Sequence, residues 1–157
     1  MKNVFLYCRK SSEGEDKQML SIPSQMEELN KQAQRLGLHI VETYKESKSA
    51  KAPGRPLFAE MMERLYKGEA RGVLCWKLDR LARNPVDGGT VIWAVKNNGI
   101  EIITSSQSYT HEDENTLLMY MEFGMAQKFI DDLGKNAKRG MKTKAEMGWY
   151  PAPALLG

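Results

Sequence analysis

Cysteine and histidine are scarce in this sequence of 157 residues, which contains two of each. Cys8 and Cys75 are too few for a disulfide scaffold or a four-ligand zinc site, and His39 and His111 cannot build a His-rich metal centre. No apolar run approaches the roughly 20 residues that a membrane span needs, and the N-terminal run is too short for a signal peptide. We therefore expect a reduced, cytoplasmic protein that holds no metal and binds no membrane.

Several catalytic motifs are also missing from the chain. It has no phosphate-binding P-loop, no Gly-x-Gly-x-x-Gly turn and no Gly-x-Ser-x-Gly nucleophile elbow. Internal repeats and low-complexity tracts are absent as well, whereas 41% of the residues are hydrophobic and 27% are charged. These observations argue against a P-loop nucleotidase, a dinucleotide-binding enzyme or a serine hydrolase, and they fit one folded globular domain.

Short apolar runs alternate with segments of helical periodicity along the first two thirds of the chain. The predicted strands cover residues 4–8, 39–44, 72–76 and 100–104, and the predicted helices cover 21–36, 57–66 and 85–98. Because each helix connects two strands, neighbouring strands are expected to be parallel. The pattern predicts an α/β fold, namely a three-layer α/β/α sandwich with a mainly parallel sheet of four to five strands.

The pattern changes near residue 113, where apolar positions at helical spacing continue into basic ones, with no proline before Pro151. We predict one long C-terminal helix over 113–148, on the order of 50 Å at about 1.5 Å per residue. Its apolar segment, 117–133, covers more than one face and predicts self-association. Five basic residues and one acidic residue lie between 134 and 148, which predicts a local contact with a polyanion.

Three predicted strand ends each deliver an arginine. Arg9 and Ser11 follow the first strand, Arg55 follows the second across a polar loop, and Arg80 and Arg83 follow the third. The carboxyl ends of parallel strands meet at one edge of a sheet, where ligands bind. Guanidinium groups match phosphoryl oxygens and stabilise the charge that develops during phosphoryl transfer. A serine beside several arginines, without a usable histidine, indicates phosphate chemistry rather than ester hydrolysis.

Four motifs in this order resemble those of the serine site-specific recombinases, the resolvase/invertase family. Residues 7–11 resemble the family's Tyr-x-Arg-x-Ser motif, and residues 21–25 resemble its Ser-Ile-x-x-Gln motif. The Arg-Pro pair at 55–56 resembles a third element, and residues 77–83 match the Lys-Leu-Asp-Arg-Leu-x-Arg signature. The long loop after Ser12 and the tail at 148–151 resemble the large serine recombinases, which include phage integrases, and their transposon-borne relatives.

The resemblance implies an enzyme that cuts and rejoins DNA through a 5′-phosphoserine intermediate, without metal or cofactor. Ser11 would be the nucleophile, and Ser12 stays open as an alternative. Asp79 would orient the two arginines that follow it, and Gln25 would support the site. Weaker carry-overs are Glu46 and Arg64. The groups that would bind the scissile phosphate and stabilise its transition state are Arg9, Arg55, Arg80 and Arg83.

The same resemblance implies double-stranded DNA as a partner, and a homodimer that becomes a tetramer when two sites synapse. It divides the chain into a catalytic α/β domain at 1–112, a long helix at 113–148 for oligomerisation and DNA contact, and, at 149–157, the start of a linker to a further DNA-binding region. One departure is Ile130-Asp131, where the family often has an acidic residue or serine followed by arginine. The residues that would contact DNA are Lys135, Lys138, Arg139 and Lys142.

Two other interpretations stay open. A catalytically inactive, resolvase-like DNA-binding or assembly module would keep the fold but form no covalent adduct with DNA. An α/β phosphatase or nucleotide-binding enzyme would instead hydrolyse small phosphoesters. The intact Ser11, Arg9, Asp79 and Arg80 argue against the inactive module.

Overall fold

One sheet of five strands runs through the centre of the computed structural model, which describes residues 1–10, 21–47, 53–112 and 115–148. The strands are β1 Lys2–Arg9, β2 Leu38–Glu46, β3 Gly72–Cys75, β4 Glu101–Ile103 and β5 Ser108–Tyr109. Their order is β2-β1-β3-β4-β5, with β1 to β4 mutually parallel and β5 antiparallel to β4. The predicted mainly parallel sheet is confirmed, and β5 is an addition to it.

Helices connect the parallel strands and extend the chain beyond the sheet. They are α1 Ile22–Leu36, α2 Pro56–Tyr66, α3 Leu78–Leu81, α4 Pro85–Asn98 and α5 Asn115–Glu146. At about 1.5 Å per residue, the 32 residues of α5 extend about 48 Å. The long C-terminal helix is therefore confirmed as a structural element.

Local capping chemistry fixes the ends of α1 and α4. The Ser21 hydroxyl accepts a hydrogen bond from the backbone N–H of Ser24, and Gly37 ends α1 in the left-handed conformation at φ 64°. The Asn84 side chain caps α4 in the same way, and Gly99 ends it at φ 63°. Since side chains other than glycine rarely adopt positive φ, each glycine marks a helix end that was predictable from the sequence.

The alternating side chains of β1 divide the core into two layers. Phe5 and Tyr7 pack on the face that α2 and α4 cover, whereas Leu6 and Cys8 pack on the opposite face, with Leu29 of α1. All five side chains are fully buried. Helices thus cover both faces of the sheet, which confirms the three-layer sandwich.

Over residues 116–124, α5 packs against the rest of the protein through one face. Thr116, Met119 and Phe123 lie on that face at helical spacing, and their exposed fractions are 6%, 0% and 7%. Leu117 and Met121, in the apolar segment 117–133, remain 66% and 53% exposed. Over residues 116–124, the apolar side chains of α5 therefore divide between a docked face and a face in water.

The second half of α5 makes no buried contact over residues 135–148, all of which are exposed. Within the described ranges, no helix has the length and apolar character to cross a lipid bilayer. The expected linker at 149–157 lies outside the described residues.

Candidate active site

The candidate site lies at the carboxyl edge of the sheet, where β1, β2 and β3 end side by side. Arg9, the last residue of β1, pairs with Glu46, the last residue of β2. On the other side of β1, Tyr7 pairs with Cys75, where β3 ends and the chain turns into α3. The expected meeting of strand ends at one edge is therefore present in the structure.

Arg9 is fully buried and joins β1 to the turn after β3. Its Nε donates to the main-chain oxygen of Arg80 at 3.2 Å, and its Nη2 donates to that of Asp79 at 3.2 Å. Nη1 donates to the oxygen of Lys10 at 2.9 Å. Burial, together with the charges of Arg80 and Arg83, lowers the pKa of Arg9 to about 10. Its guanidinium still stays cationic at neutral pH, although it is buried away from water.

Arg55 precedes α2 and reaches back under the edge of the sheet, with its side chain 1% exposed. Its Nη1 donates to the Tyr7 hydroxyl at 2.9 Å, and its Nη2 donates to the Leu81 oxygen at 2.6 Å and to Oδ2 of Asp87 at 2.9 Å. The guanidinium carbon lies 4.2 Å from the centre of the Phe58 ring. Main chain, ion pair and aromatic face together hold this guanidinium in one position.

The signature at 77–83 forms one helical turn and then an extended residue. The helix α3 ends at Leu81, and Ala82 is extended at φ −149° and ψ 145°. Arg80 is fully buried, whereas the Arg83 side chain is 16% exposed and its Nη2 lies 3.1 Å from Oδ2 of Asp79. A helix that continued through residue 83 would place Arg80 and Arg83 three positions apart on one side. The helix ends at Leu81, before Arg83, so the two arginines do not share a helical turn.

The remaining predicted site residues occupy different layers. Gln25 is 2% exposed and lies on the buried face of α1, the helix that covers the Cys8 side of the sheet. Glu46 is also 2% exposed, and its charge raises the pKa of Tyr7, an effect that adds to the larger one of burial. Ser11 and its alternative Ser12 lie outside the described residues, immediately beyond Lys10.

The basic residues of the long helix differ from the buried arginines in their exposure to solvent. Lys135, Lys138, Arg139 and Lys142 are all exposed, and their spacing of three and four residues puts them on one side of α5. Lys142 lies 4.0 Å from Glu146, a pair in water that contributes little to stability. This side of the helix therefore presents a row of solvated positive charge.

Three residues around Arg55 were not predicted as site residues. Asp87 carries the carboxylate that pairs with Arg55, Asn84 donates to that carboxylate at 2.8 Å, and Tyr7 accepts from Arg55. An Asn-Pro-x-Asp pattern is typical of a helix start, so the sequence offered a sufficient local explanation for Asn84 and Asp87. Tyr7 was noted as part of a motif, without a role of its own.

The site therefore consists of three buried arginines from distant parts of the chain, with partly exposed Arg83 at its border. Buried cations in a low-dielectric setting attract an anion more strongly than cations in water. Oδ1 of Asp79 is buried and has no hydrogen-bond partner among the described residues. Within the described ranges, no group of three His, Cys, Asp or Glu residues could hold a metal ion. The arginine cluster has the chemistry of an anion site.

The molecule is therefore an α/β sandwich with an arginine cluster at the carboxyl edge of its central strands. The family model described as "Resolvase, N terminal domain" matches residues 4–150, so this chain belongs to the resolvase family. Its fold is similar to that of serine recombinase catalytic domains, and the family and fold together support a role in site-specific recombination. No curated protein matches the sequence.

Solved structures share this fold over most of the chain. The N-terminal catalytic domain of TP901-1 integrase is 25% identical, with a TM-score of 0.61, and the match covers 85% of this chain and 99% of that one. A resolvase-family site-specific recombinase from Streptococcus pneumoniae is 23% identical, with a TM-score of 0.62 and coverage of 93% and 99%. The catalytic domain of ISC1926 TnpA, an IS607-like serine recombinase, is 20% identical, with a TM-score of 0.56 and coverage of 87% and 84%.

Proposed function

We propose that this domain cuts and rejoins double-stranded DNA through a covalent bond between Ser11 and a 5′-phosphate. One observation carries the proposal. β1 ends in Arg9, whose buried guanidinium donates to the main-chain oxygens of Asp79 and Arg80. The next residue, Lys10, still donates its N–H to the Glu46 oxygen at 3.2 Å. Lys10, the residue that precedes Ser11 in the sequence, is therefore held at the strand end beside the arginine cluster.

The reaction balances without any co-reactant. The Ser11 oxygen attacks phosphorus, the bond from phosphorus to the 3′-oxygen breaks, and the proton of the serine hydroxyl ends on the 3′-hydroxyl that leaves. One phosphodiester is replaced by another, so the reverse attack by a 3′-hydroxyl rejoins the strand. The transition state gathers negative charge on the phosphoryl oxygens. Stabilisation of that charge is the role proposed for Arg9, Arg55, Arg80 and Arg83.

Covalent capture tests the nucleophile. The chain is incubated with fluorescent DNA duplexes that carry a randomised central segment, and adducts are isolated under denaturing conditions. Trypsin cuts after Lys10 and Lys17 and releases residues 11–17, on which the nuclease-trimmed nucleotide is found by mass spectrometry. Fragmentation distinguishes Ser11 from Ser12. We expect the nucleotide on Ser11, an adduct from Ser12→Ala and none from Ser11→Ala.

Other outcomes would redirect the proposal. A nucleotide on Ser12 would move the nucleophile by one residue while leaving the chemistry unchanged. Absence of any adduct from the unmodified chain, with DNA bound, would favour the inactive DNA-binding or assembly module. Hydrolysis of small phosphate esters without an adduct would favour a phosphatase.

Arg80 gives a second test, which separates chemistry from binding. Loss of one donor that stabilises developing charge typically costs about 3 kcal/mol, or about 10²–10³ in rate. We expect Arg80→Ala to lower the rate of adduct formation by about that factor while DNA affinity changes far less. Because Arg80 is fully buried, the thermal unfolding of the Arg80→Ala variant must be measured alongside its rate and DNA affinity. An equal loss of rate and affinity would identify Arg80 as a general DNA contact.

The exposed basic side of α5 is proposed to contact DNA phosphates. Each neutralised phosphate contributes about 0.9 to the slope of log affinity against log salt. Replacing Lys135, Lys138, Arg139 and Lys142 by glutamine should therefore flatten that slope by up to about 4. Lys31→Gln on α1 is the matched control, since Lys31 is also exposed and is paired with Glu27. An unchanged slope would remove α5 from the DNA interface.

The proposed assembly is a homodimer that becomes a tetramer on two DNA sites. The exposed apolar side chains Leu117 and Met121 beside the docked face of α5 support it. Such side chains gain about 25 cal/mol for each Å² that a second copy covers. Cutting both strands of one site also needs two copies of Ser11.

A further inference from the structure

The charge of Arg55 is balanced by the carboxylate of Asp87, a residue outside the four motifs that resemble those of the serine recombinases. Oδ2 of Asp87 lies 2.9 Å from Nη2 of Arg55, and the two side chains are 10% and 1% exposed. The pair joins the start of α2 to the first turn of α4, two segments 32 positions apart in the chain. A cation this deeply buried is strongly destabilising without a partner, so Asp87 is part of the reason that Arg55 can occupy the site.

Asp87 is itself held rigidly. Asn84 Nδ2 donates to the same Oδ2 at 2.8 Å, while Asn84 Oδ1 accepts the backbone N–H of Asp87 at 2.8 Å. The residue stands in the first turn of α4, where the helix dipole favours a negative charge. Asn84 therefore fixes both the backbone and the carboxylate of Asp87.

The consequence for Arg55 follows from its donors. Both hydrogens of Nη2 are directed to protein acceptors, the Leu81 oxygen and Asp87, and Nη1 donates to Tyr7. Nε is buried and has no hydrogen-bond partner among the described residues. In this arrangement Nη2 is committed to the protein, and Arg55 cannot present its paired Nη1 and Nη2 edge to a phosphate as a free fork.

We propose that Asp87 is a positioning residue, which fixes the Arg55 guanidinium so that it acts on the scissile phosphate as a stationary charge. The proposal rests on the function proposed above and adds a residue to it. The negative charge of Asp87, and not only the shape of its side chain, holds Arg55 in place. Displacements of about 1 Å in such a group can lower a rate by about 10²-fold.

A double-mutant cycle on adduct formation tests the assignment. Asp87→Asn keeps an oxygen in the position of Oδ2 and removes the charge. We expect it to slow adduct formation by about 10²-fold with little change in DNA affinity. In the Arg55→Gln background the same change should have almost no further effect, because the two residues act as one unit. Glu63→Gln, an exposed change on α2, is the control that should leave the rate unchanged.

Two results would overturn the assignment. Full activity of Asp87→Asn would show that the charge is dispensable. An equal loss in the presence and absence of Arg55 would show that Asp87 acts through something else, such as the stability of α4. Thermal unfolding of all four proteins accompanies the cycle and identifies the latter case.

A second variant covers the possibility that Asp87→Asn fails to fold. Asn84→Ser retains a hydroxyl that can cap α4 and removes the amide donor to Oδ2 of Asp87. We expect a smaller but measurable loss of rate at unchanged thermal stability. A loss confined to thermal stability would contradict the positioning role.

Nuclear magnetic resonance separates this proposal from the one on which it rests. The buried Nε–H of Arg55 should give a distinct ¹H–¹⁵N signal, assigned by its loss in Arg55→Lys. If Asp87 positions Arg55, that signal shifts or broadens in Asp87→Asn and not in Glu63→Gln, even in a chain that forms no adduct. An unmoved signal would overturn the positioning role, whether or not Ser11 attacks DNA.

Discussion

Arg9 and Lys138 carry the same charge in opposite settings. Arg9 is fully buried at the end of β1, with hydrogen bonds to three main-chain oxygens, whereas Lys138 is exposed on the outer half of α5. Moving a cation out of water costs several kcal/mol, so a fold keeps one inside only where acceptors are arranged for it. Solvated charges cost nothing to maintain and add little to stability.

Buried arginines and exposed bases suit two different ways of binding the same polyanion. The buried arginines of the body, by which we mean the described residues up to 112, have fixed positions and suit a single phosphate at a defined point. The bases of α5 keep their rotational freedom and suit phosphates along a duplex, with no demand for exact geometry. Substitutions in the body should therefore change stability and chemistry, while those on α5 should change association.

The largest contrast is expected between Arg9→Met and Lys138→Met. Loss of the Arg9 guanidinium leaves the oxygens of Lys10, Asp79 and Arg80 without their donor, and each buried unsatisfied group costs about 1–3 kcal/mol. We expect Arg9→Met to lower the free energy of unfolding by about 3 kcal/mol, and Lys138→Met to change it by less than about 0.5 kcal/mol. Urea denaturation followed by circular dichroism measures both. Equal effects would remove the distinction between body and helix.

The same glycine-to-alanine change should have opposite signs in the two regions. A Cβ at Gly72 in β3 would lie 2.7 Å from the main-chain oxygen of Glu101 in β4, so the two strands must move apart. We expect Gly72→Ala to destabilise the protein by about 1–3 kcal/mol. A Cβ at Gly140 in α5 meets nothing within 4 Å, and Gly140→Ala should raise helix stability by about 0.5–1 kcal/mol.

Two measurements check the glycine pair. Thermal unfolding reports the loss at Gly72, and the helical circular dichroism signal reports the gain at Gly140. Destabilisation by Gly140→Ala would mean that the outer half of α5 is not a free helix.

How far the sequence predicts the molecule depends on the range of the interactions concerned. Asn84, Pro85 and Gly99 mark the ends of α4 because capping is local, and the predicted bounds of 85–98 are confirmed. β5 escaped prediction because its two residues show no periodicity and it exists through pairing with β4. The Leu81 oxygen at the end of α3 likewise accepts a hydrogen bond from Arg55, a tertiary contact that the local sequence does not predict.

The candidate site shows the same division. That Arg9, Arg55 and Arg80 gather at one edge followed from their positions after parallel strands. Their burial did not follow, because an arginine at a strand end is usually solvated. The partner Asp87 could not be inferred either, since the ion pair depends on how α2 and α4 pack. Proposed roles for Ser11 and Gln25 remain predictions that rest on motifs.

The exposed side of α5 should control association without affecting folding. Met121 is 53% exposed, whereas Met119, two positions earlier, is fully buried against the body. We expect Met121→Glu to weaken self-association in sedimentation velocity runs over a concentration series, at nearly unchanged thermal stability. Met119→Ala, the matched control, should cost about 2–5 kcal/mol of stability, as buried methionines do. A chain that is monomeric at every concentration, with or without Met121→Glu, would contradict self-association through this face.

The smallest expected effect is an alkaline loss of stability that belongs to the body alone. Burial raises the pKa of the Cys8 thiol from its ordinary value of 9.0 to about 11, and burial likewise raises that of Tyr109 to about 12. Between pH 9 and 11 the unfolded chain releases the Cys8 proton while the folded chain retains it. The folded state then binds more protons than the unfolded state, so the free energy of unfolding falls as pH rises through this window. Below pH 9 both states are protonated and the thiol contributes no slope.

Cys8→Ala and Cys8→Ser should both reduce this slope, although they alter stability at neutral pH to different extents because alanine and serine fill the site differently. Part of the slope remains in both variants, because burial also raises the pKa of the Cys75 thiol above its ordinary value of 9.0. Chemical denaturation at a series of pH values measures it, with Tyr109 extending the remaining decline towards pH 12. Cys8 is buried in the core beneath α1, whereas Met121 is exposed on α5. Met121→Glu should therefore leave the pH dependence unchanged. An unaltered slope in both cysteine variants would show that the Cys8 thiol titrates alike in the folded and unfolded chains, and that solvent reaches this part of the core more freely than its packing against Leu29 indicates.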